Sequence, residues 1–153
     1  MASSTSNTAR EQLALTSTPE LYTQIRRLWI QHSIAEDARD IPGLLATLTS
    51  NCVYELVPTG QRWEGHSGAT EFYQTFLGAF PDIKFELQDI VIGPQGVIEV
   101  AEMTGTHRGT WAGRPATGRV IRVHVIIHFP WDAAAQRFAG EKVYFDRTAF
   151  NID

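Results

Sequence analysis

Met-Thr-Gly-Thr-His-Arg-Gly-Thr-Trp-Ala-Gly-Arg-Pro-Ala-Thr-Gly-Arg at 103–119, Val-Ile-Arg-Val-His-Val-Ile-Ile-His-Phe at 120–129 and Val-Tyr-Phe-Asp at 143–146 decide the fold. Glycines at 105, 109, 113 and 118, with Pro115, cannot share one regular element, so they read as a long turn between two strands. In the β-branched run, Ile121, Val123, Val125, Ile127 and Phe129 fall on one face, and Arg122, His124 and His128 on the other. Polar side chains on a rigid strand, with a carboxylate at the end of the next, suit a pocket that does chemistry.

Working outward, residues 83–92 alternate as a half-buried strand, Gly93-Pro94-Gln95-Gly96 forms a hairpin turn, and 97–107 is a second strand. The last strand covers 137–146. Upstream, Thr18-Pro19-Glu20 opens an amphipathic helix carrying Leu21, Ile25, Leu28 and Trp29, which runs to about residue 37. His32 continues that stripe, either as a packed histidine or as a pocket-lining one. A short helix with Leu44, Leu45 and Leu48 follows, then a strand over 52–57. Trp63-Glu64-Gly65-His66 leads into a helix bearing Phe72, Tyr73, Phe76, Leu77 and Phe80, which Pro81 stops. Helices at one end and strands joined by hairpins at the other predict an α+β domain. Residues 1–16 read as a disordered tail and 17–153 as one domain.

A chain of 153 residues with 43% hydrophobic residues can bury one good core. Its net charge of −4 lacks the basic excess that phosphate backbones require, so nucleic acid is not an expected partner. No apolar run reaches the ~18–20 residues of a membrane span, and the first ten residues lack the apolar core of a secretory signal. One cysteine, Cys52, fits a reducing compartment, and the cytoplasm is the expected location.

Several chemistries lack their parts. There is no Gly-x-Gly-x-x-Gly or Walker loop for a nucleotide, and no Gly-x-Ser-x-Gly elbow. His124 and His128 share a strand face roughly 13 Å apart, too far to chelate one ion. With a single cysteine and no His-x-x-x-His on a helix, no metal site is expected. Acid–base chemistry by Asp, Glu, His, Tyr and Arg, or plain ligand binding, remains.

Four segments carry a family resemblance: Trp63-Glu64-Gly65-His66; Phe80-Pro81-Asp82; Gly105-Thr106-His107-Arg108-Gly109 with Pro115-Ala116-Thr117-Gly118; and Glu141-Lys142-Val143-Tyr144-Phe145-Asp146. From about residue 20 to 150 the chain resembles the SnoaL-like polyketide cyclases, within the cone-fold superfamily of nuclear transport factor two. The resemblance implies a curved antiparallel or mixed sheet wrapped around N-terminal helices, with an apolar pocket inside the cone. It also implies cofactor-free intramolecular aldol closure of a small apolar molecule (polyketide, steroid or terpenoid-like), and a homodimer. The fold hosts isomerases, epoxide hydrolases, dehydratases and non-catalytic binding modules as well.

By resemblance Asp146 is the base, with Tyr54, Arg122 and His124 as acid or oxyanion partners. A base for a carbon acid must be desolvated, since an aspartate in water has a pKa near 3.9. The alternative for Asp146 is an exposed strand end capping the following turn. Epoxide-hydrolase relatives carry Arg-x-Asp where this chain has Arg122-Val123-His124. The face bearing Arg122, His124 and His128 is either the pocket or the dimer face, because alternation does not say which side is inward. His107 organises the glycine-rich turn or touches substrate. Trp63 and Trp111 shape the pocket mouth or a partner patch, and Trp29, His32, His128 and Phe76 complete the expected lining. Glu102 is a buried acid if the face of Ile98 and Val100 is inward, and a solvated one otherwise.

Overall fold

The computed structural model describes residues 8–150. Six strands form one sheet in the order β2-β1-β6-β5-β4-β3. β3 (Lys84–Gly93), β4 (Gly96–Thr106), β5 (Val120–Asp132) and β6 (Arg137–Phe145) are sequential antiparallel neighbours, as their turns predict. β1 (Leu48–Leu56) lies parallel to β6 and antiparallel to β2 (Gln61–Glu64). Register shifts near Asp89, between His128 and Trp131, and between Leu48 and Val53 interrupt the ladders, and such interruptions bend strands.

α2 (Pro19–Asp37) packs on β3 and β4, while α4 (Gly65–Ala79) packs on β1 and β2. Thr18 caps α2 by accepting from the Leu21 N–H, with Pro19 at the first turn. α4 buries Phe72, Tyr73 and Phe76; the Phe72 and Phe76 rings stack 5.7 Å apart, a pairing worth about 1 kcal/mol beyond its area. The core lies between these helices and the Ile121, Val123, Val125, Ile127 and Phe129 face of β5.

Two of the segments quoted for the resemblance meet in space. The Asp82 carboxylate accepts from both the N–H and the hydroxyl of Thr106, each at 2.7 Å. The next turn then runs over the end of α4, where Arg108 and Gly109 N–H groups donate to Ala79 O. A Cβ at Gly109 would fall 2.5 Å from Gly78 O, so only glycine permits this approach.

Three local readings change. Ala9–Leu13 is a short helix (α1) with a Thr8/Glu11 capping box, inside the stretch expected to be disordered; residues 1–7 lie outside the described residues. β2 carried no sequence signal, because Gln61-Arg62-Trp63-Glu64 is a mostly exposed edge made only by pairing with β1. Leu48 begins β1 rather than ending α3 (Ile41–Leu45). No helix among the described residues is long and apolar enough to cross a membrane.

Candidate active site

α2 brings the first two groups. His32 and Glu36 are four residues apart on one helical face, the continuation of the Ile25, Leu28 and Trp29 stripe. His32 is 2 % exposed. Its Nδ1 lies 2.7 Å from Thr47 Oγ1, whose own hydrogen goes to Leu44 O at 2.7 Å. Thr47 can then only accept from His32, which assigns a hydrogen to Nδ1. Nε2 is left as the atom that gains or loses a proton, and it faces Glu141 Oε2 at 3.3 Å.

Glu141 comes from β6, and one glycine puts it there. Phe138 points inward, so strict alternation would send Glu141 outward. Gly140, at φ +117°, breaks the alternation where β6 shifts register against Val53. Glu141 is therefore buried and Lys142 is turned out. A Cβ at Gly140 would lie 1.9 Å from Val53 O, so the device requires glycine.

Two phenols hold the buried carboxylate. Tyr73 donates to Glu141 Oε2 at 2.7 Å, and the Tyr54 hydroxyl lies 2.6 Å from that of Tyr73. Tyr73 has a single hydrogen, so Tyr54 donates to it. Burial, then the Glu141 charge, pushes both phenols well above their ordinary pKa.

β4 adds Glu99, whose side of the strand faces inward with Val97, Ala101 and Met103. Burial, then the Glu141 charge, raises the Glu99 pKa from 4.5 to about 7. The nearby Trp29 indole pulls weakly the other way, although its N–H makes no hydrogen bond of ordinary geometry. Glu36 is likewise held well above the carboxylate range, first by burial and then by Glu141 and Glu99. Its carboxylate receives no hydrogen bond from any described residue.

Two small cavities flank this cluster, of ≈ 30 Å³ and ≈ 60 Å³. Glu36, Glu141, Phe85 and Ile127 line both, and no Lys or Arg side chain lines either. Phe76, Trp111, Phe145 and Phe150 close the apolar one; Trp29, His32 and Glu99 line the polar one. A larger groove of ≈ 500 Å³ outside α2 holds none of these acids. His32, Glu36 and Glu141 place one ligand atom each within 4.8 Å of one another. Ligands at about 2.1 Å from a tetrahedral ion stand roughly 3.4 Å apart, so this set would have to contract to hold a cation. Glu141 Oε2 is also already engaged by Tyr73.

A family model for SnoaL-like polyketide cyclases matches residues 20–150. The chain belongs to the SnoaL-like polyketide cyclase family. No curated protein matches the sequence. A candidate SnoaL-like cyclase of Jannaschia sp. CCS1 superposes with a TM-score of 0.75 at 18% identity, covering 90% of this chain and 95% of that one. A candidate SnoaL-like cyclase of Shewanella denitrificans OS-217 gives 0.73 at 14%, over 83% and 93%. IdmH, a candidate polyketide cyclase of Streptomyces antibioticus, gives 0.66 at 21%, over 82% and 94%. At these identities the likeness is one of fold, and it matches the cone-shaped α+β architecture that the sequence implied.

Within this family fold, the residues expected to act are divided. Tyr54 and His32 join the buried cluster, and Trp29, Phe76 and Trp111 line its cavities. Asp146 does not join them. It is exposed and accepts from the Thr148 N–H at 2.9 Å and hydroxyl at 2.7 Å, bonds that lower its pKa. The desolvation that a carbon-acid base needs is absent there. Arg122, His124 and His128 lie on the outer sheet face, where Arg122 pairs with Glu102. Glu102 is accordingly outward, on the opposite face from Glu99. His107 is buried in the turn, accepting from the Thr117 N–H with Phe80 beside its ring, and Trp63 packs on Phe72; neither lines the two inner cavities.

Sequence reasoning passed over Glu36, Tyr73, Glu99 and Glu141. Glu36 had a signal, the i,i+4 spacing from His32 on an apolar stripe. Glu141 had a fainter one, a glycine inside a strand.

Proposed function

We propose that this protein is an acid–base enzyme that needs no cofactor and acts on an apolar carbonyl compound, by intramolecular aldol cyclisation or a related isomerisation. The supporting observation is that Glu36 and Glu141 line both an apolar cavity and the small polar one beside it, which adds His32 and Glu99, with no Lys or Arg among the described residues lining either. Glu36 is the base. Its raised pKa matches it to a carbon acid, and its carboxylate accepts no hydrogen bond from any described residue. It takes a proton from the carbon next to a carbonyl, leaving an enolate. That carbon attacks a second carbonyl of the same molecule, whose oxygen takes the proton from Nε2 of a His32 ring that enters the step with a hydrogen on both nitrogens. Glu141 and Thr47 keep the imidazole oriented, and the proton on Glu36 returns to His32, so the product is an isomer of the substrate.

The test is mass-spectrometric turnover of polyketide methyl esters, unsaturated ketosteroids and terpene epoxides by wild type and Glu36→Gln. A product of unchanged mass formed only by wild type is expected. Gain of water would move the reading to an epoxide hydrolase, and loss of water to a dehydratase. Thermal stabilisation by a compound that neither protein converts would move it to a binding module.

Two coarser readings accompany this one. We propose a homodimer through the outer sheet face, supported by Ile126 and Tyr144, which sit opposite each other and exposed on β5 and β6. Sedimentation as a monomer at micromolar concentration would overturn it. The cytoplasm is the proposed compartment, resting on the single buried cysteine Cys52.

A further inference from the structure

The proposed reaction leaves negative charge on an enolate oxygen, and a fixed hydrogen-bond donor is what stabilises such a charge. Most side-chain hydrogens around the buried acids are already committed. Tyr73 donates to Glu141, Tyr54 to Tyr73, and His32 Nδ1 to Thr47. His32 Nε2 serves the second carbonyl, and no Lys or Arg among the described residues lines either inner cavity.

One donor is left over. Four buried side-chain polar atoms of the described residues make no hydrogen bond: Trp29 Nε1, Thr49 Oγ1, His107 Nε2 and Trp131 Nε1. Native proteins pair nearly all such atoms, because each unpaired one costs about 1–3 kcal/mol. Of these four residues only Trp29 lines the polar cavity, and none lines the apolar one.

Trp29, His32 and Glu36 follow at three- and four-residue spacing on one face of α2, so the indole stands on the same side of the helix as the base. Glu99 lies near the indole, yet no hydrogen bond of ordinary geometry joins them, and burial draws Glu99 toward its neutral form. A neutral carboxyl competes only weakly for the N–H. Ser33 also lines the polar cavity. A helical serine hydroxyl can turn back to the carbonyl one turn earlier, whereas the indole hydrogen is fixed in the plane of its ring.

Resting on the acid–base reading, we propose that the Trp29 indole N–H holds the substrate's carbonyl oxygen while Glu36 removes the neighbouring proton, and so stabilises the enolate. The indole lends a hydrogen bond and keeps its own proton, which leaves the exchange between Glu36 and His32 balanced. The oxygen occupies the polar cavity and the carbon body the apolar one; Glu36, Glu141, Phe85 and Ile127 are walls of both.

Indole N–H resonances of the four tryptophans, followed as cyclopentanone or methylenecyclopentane is added to the full-length protein, test this. The ketone moves the Trp29 signal downfield to saturation, and the hydrocarbon, which lacks the oxygen, does not. Loss of the signal in Trp29→Phe assigns it; if that variant does not fold, Trp63→Phe, Trp111→Phe and Trp131→Phe assign it by elimination. Folded Trp29→Phe binds the ketone about fivefold more weakly and the hydrocarbon as wild type does. On a compound that wild type converts, its kcat falls roughly 10²-fold with KM nearly unchanged. No saturable shift of the Trp29 signal, an equal shift with the hydrocarbon, or full ketone affinity in Trp29→Phe with its loss in Ser33→Ala would overturn the proposal. Repeating the titration with Glu36→Gln keeps the two readings separate. A Trp29 shift there upholds the donor whether or not turnover is lost, and turnover alone judges the base.

Discussion

Opposite faces of the β4–β5–β6 ladder carry the same kinds of group in different surroundings. Outside, Glu102 pairs with Arg122 and lies 3.7 Å from His124, whose side chains are 69% and 73% exposed. Such pairs in water contribute ~0–1 kcal/mol and leave little chemistry behind. Inside, His32, Glu36, Glu99 and Glu141 crowd around a cavity whose walls raise Glu36 and Glu99 above the carboxylate range. Surroundings, not residue type, separate a solvated ion pair from carboxylates whose pKa is raised by burial and by neighbouring carboxylates, to about 7 at Glu99.

The largest way to break this comparison is by substitution on the two faces in parallel. Glu36→Gln should lower kcat by roughly 10²–10⁴ while the circular dichroism spectrum is retained. Arg122→Gln and His124→Gln should stay within about twofold of wild type. An outer variant that loses turnover as Glu36→Gln does would show that the active face had been misassigned.

Next is the device that turns Glu141 inward. Gly140→Ala forces a Cβ to within 1.9 Å of Val53 O, at a backbone angle that L-residues avoid. A loss of about 4 kcal/mol in denaturant unfolding is expected, with turnover falling as Glu141 shifts. Unchanged stability would mean that β6 can present Glu141 without the kink.

The pH dependence of stability sharpens the contrast by its sign. Glu99 binds its proton more tightly folded than unfolded, so its contribution is full below pH 4.5 and is lost as pH rises through about 7. The effect is up to roughly 3 kcal/mol, and Glu36 acts in the same direction. Glu99→Gln should flatten thermal stability between pH 5 and 8. Asp146 works the other way: its lowered pKa contributes stability above the ordinary carboxylate value that is lost as pH falls through the folded one. Asp146→Asn should therefore show the smallest effect of all, a slight softening on the acid side with turnover near wild type. Loss of turnover in that variant would return Asp146 to the role that its family segment implied.

How much of this was legible depends on whether the information is local. Caps, stripes and turns are written in consecutive residues. Thr18-Pro19, the Leu21-to-His32 stripe, the stop at Pro81 and the Gly93–Gly96 hairpin all appear as expected. Family membership was legible too, since its segments survive as strings. Glu36 was legible in principle from its spacing to His32.

The sequence by itself determined an α+β chain of known family, with one strand face for the core and one for polar groups. Tertiary structure decided the rest. Alternation defines two faces but not which is inward; α2 and α4 settle that by packing on the side of Ile121 and Val123, leaving Arg122 and His124 in water. The parallel pairing of β1 with β6 brings Tyr54 beside Glu141, residues far apart in the chain. Gly140 reverses a side chain's face through one positive φ, which no count of alternating residues foresees. Acidity itself was decided there as well, because burial and the neighbouring carboxylates that raise Glu36 and Glu99, and the Thr148 bonds that lower Asp146, are set by the fold.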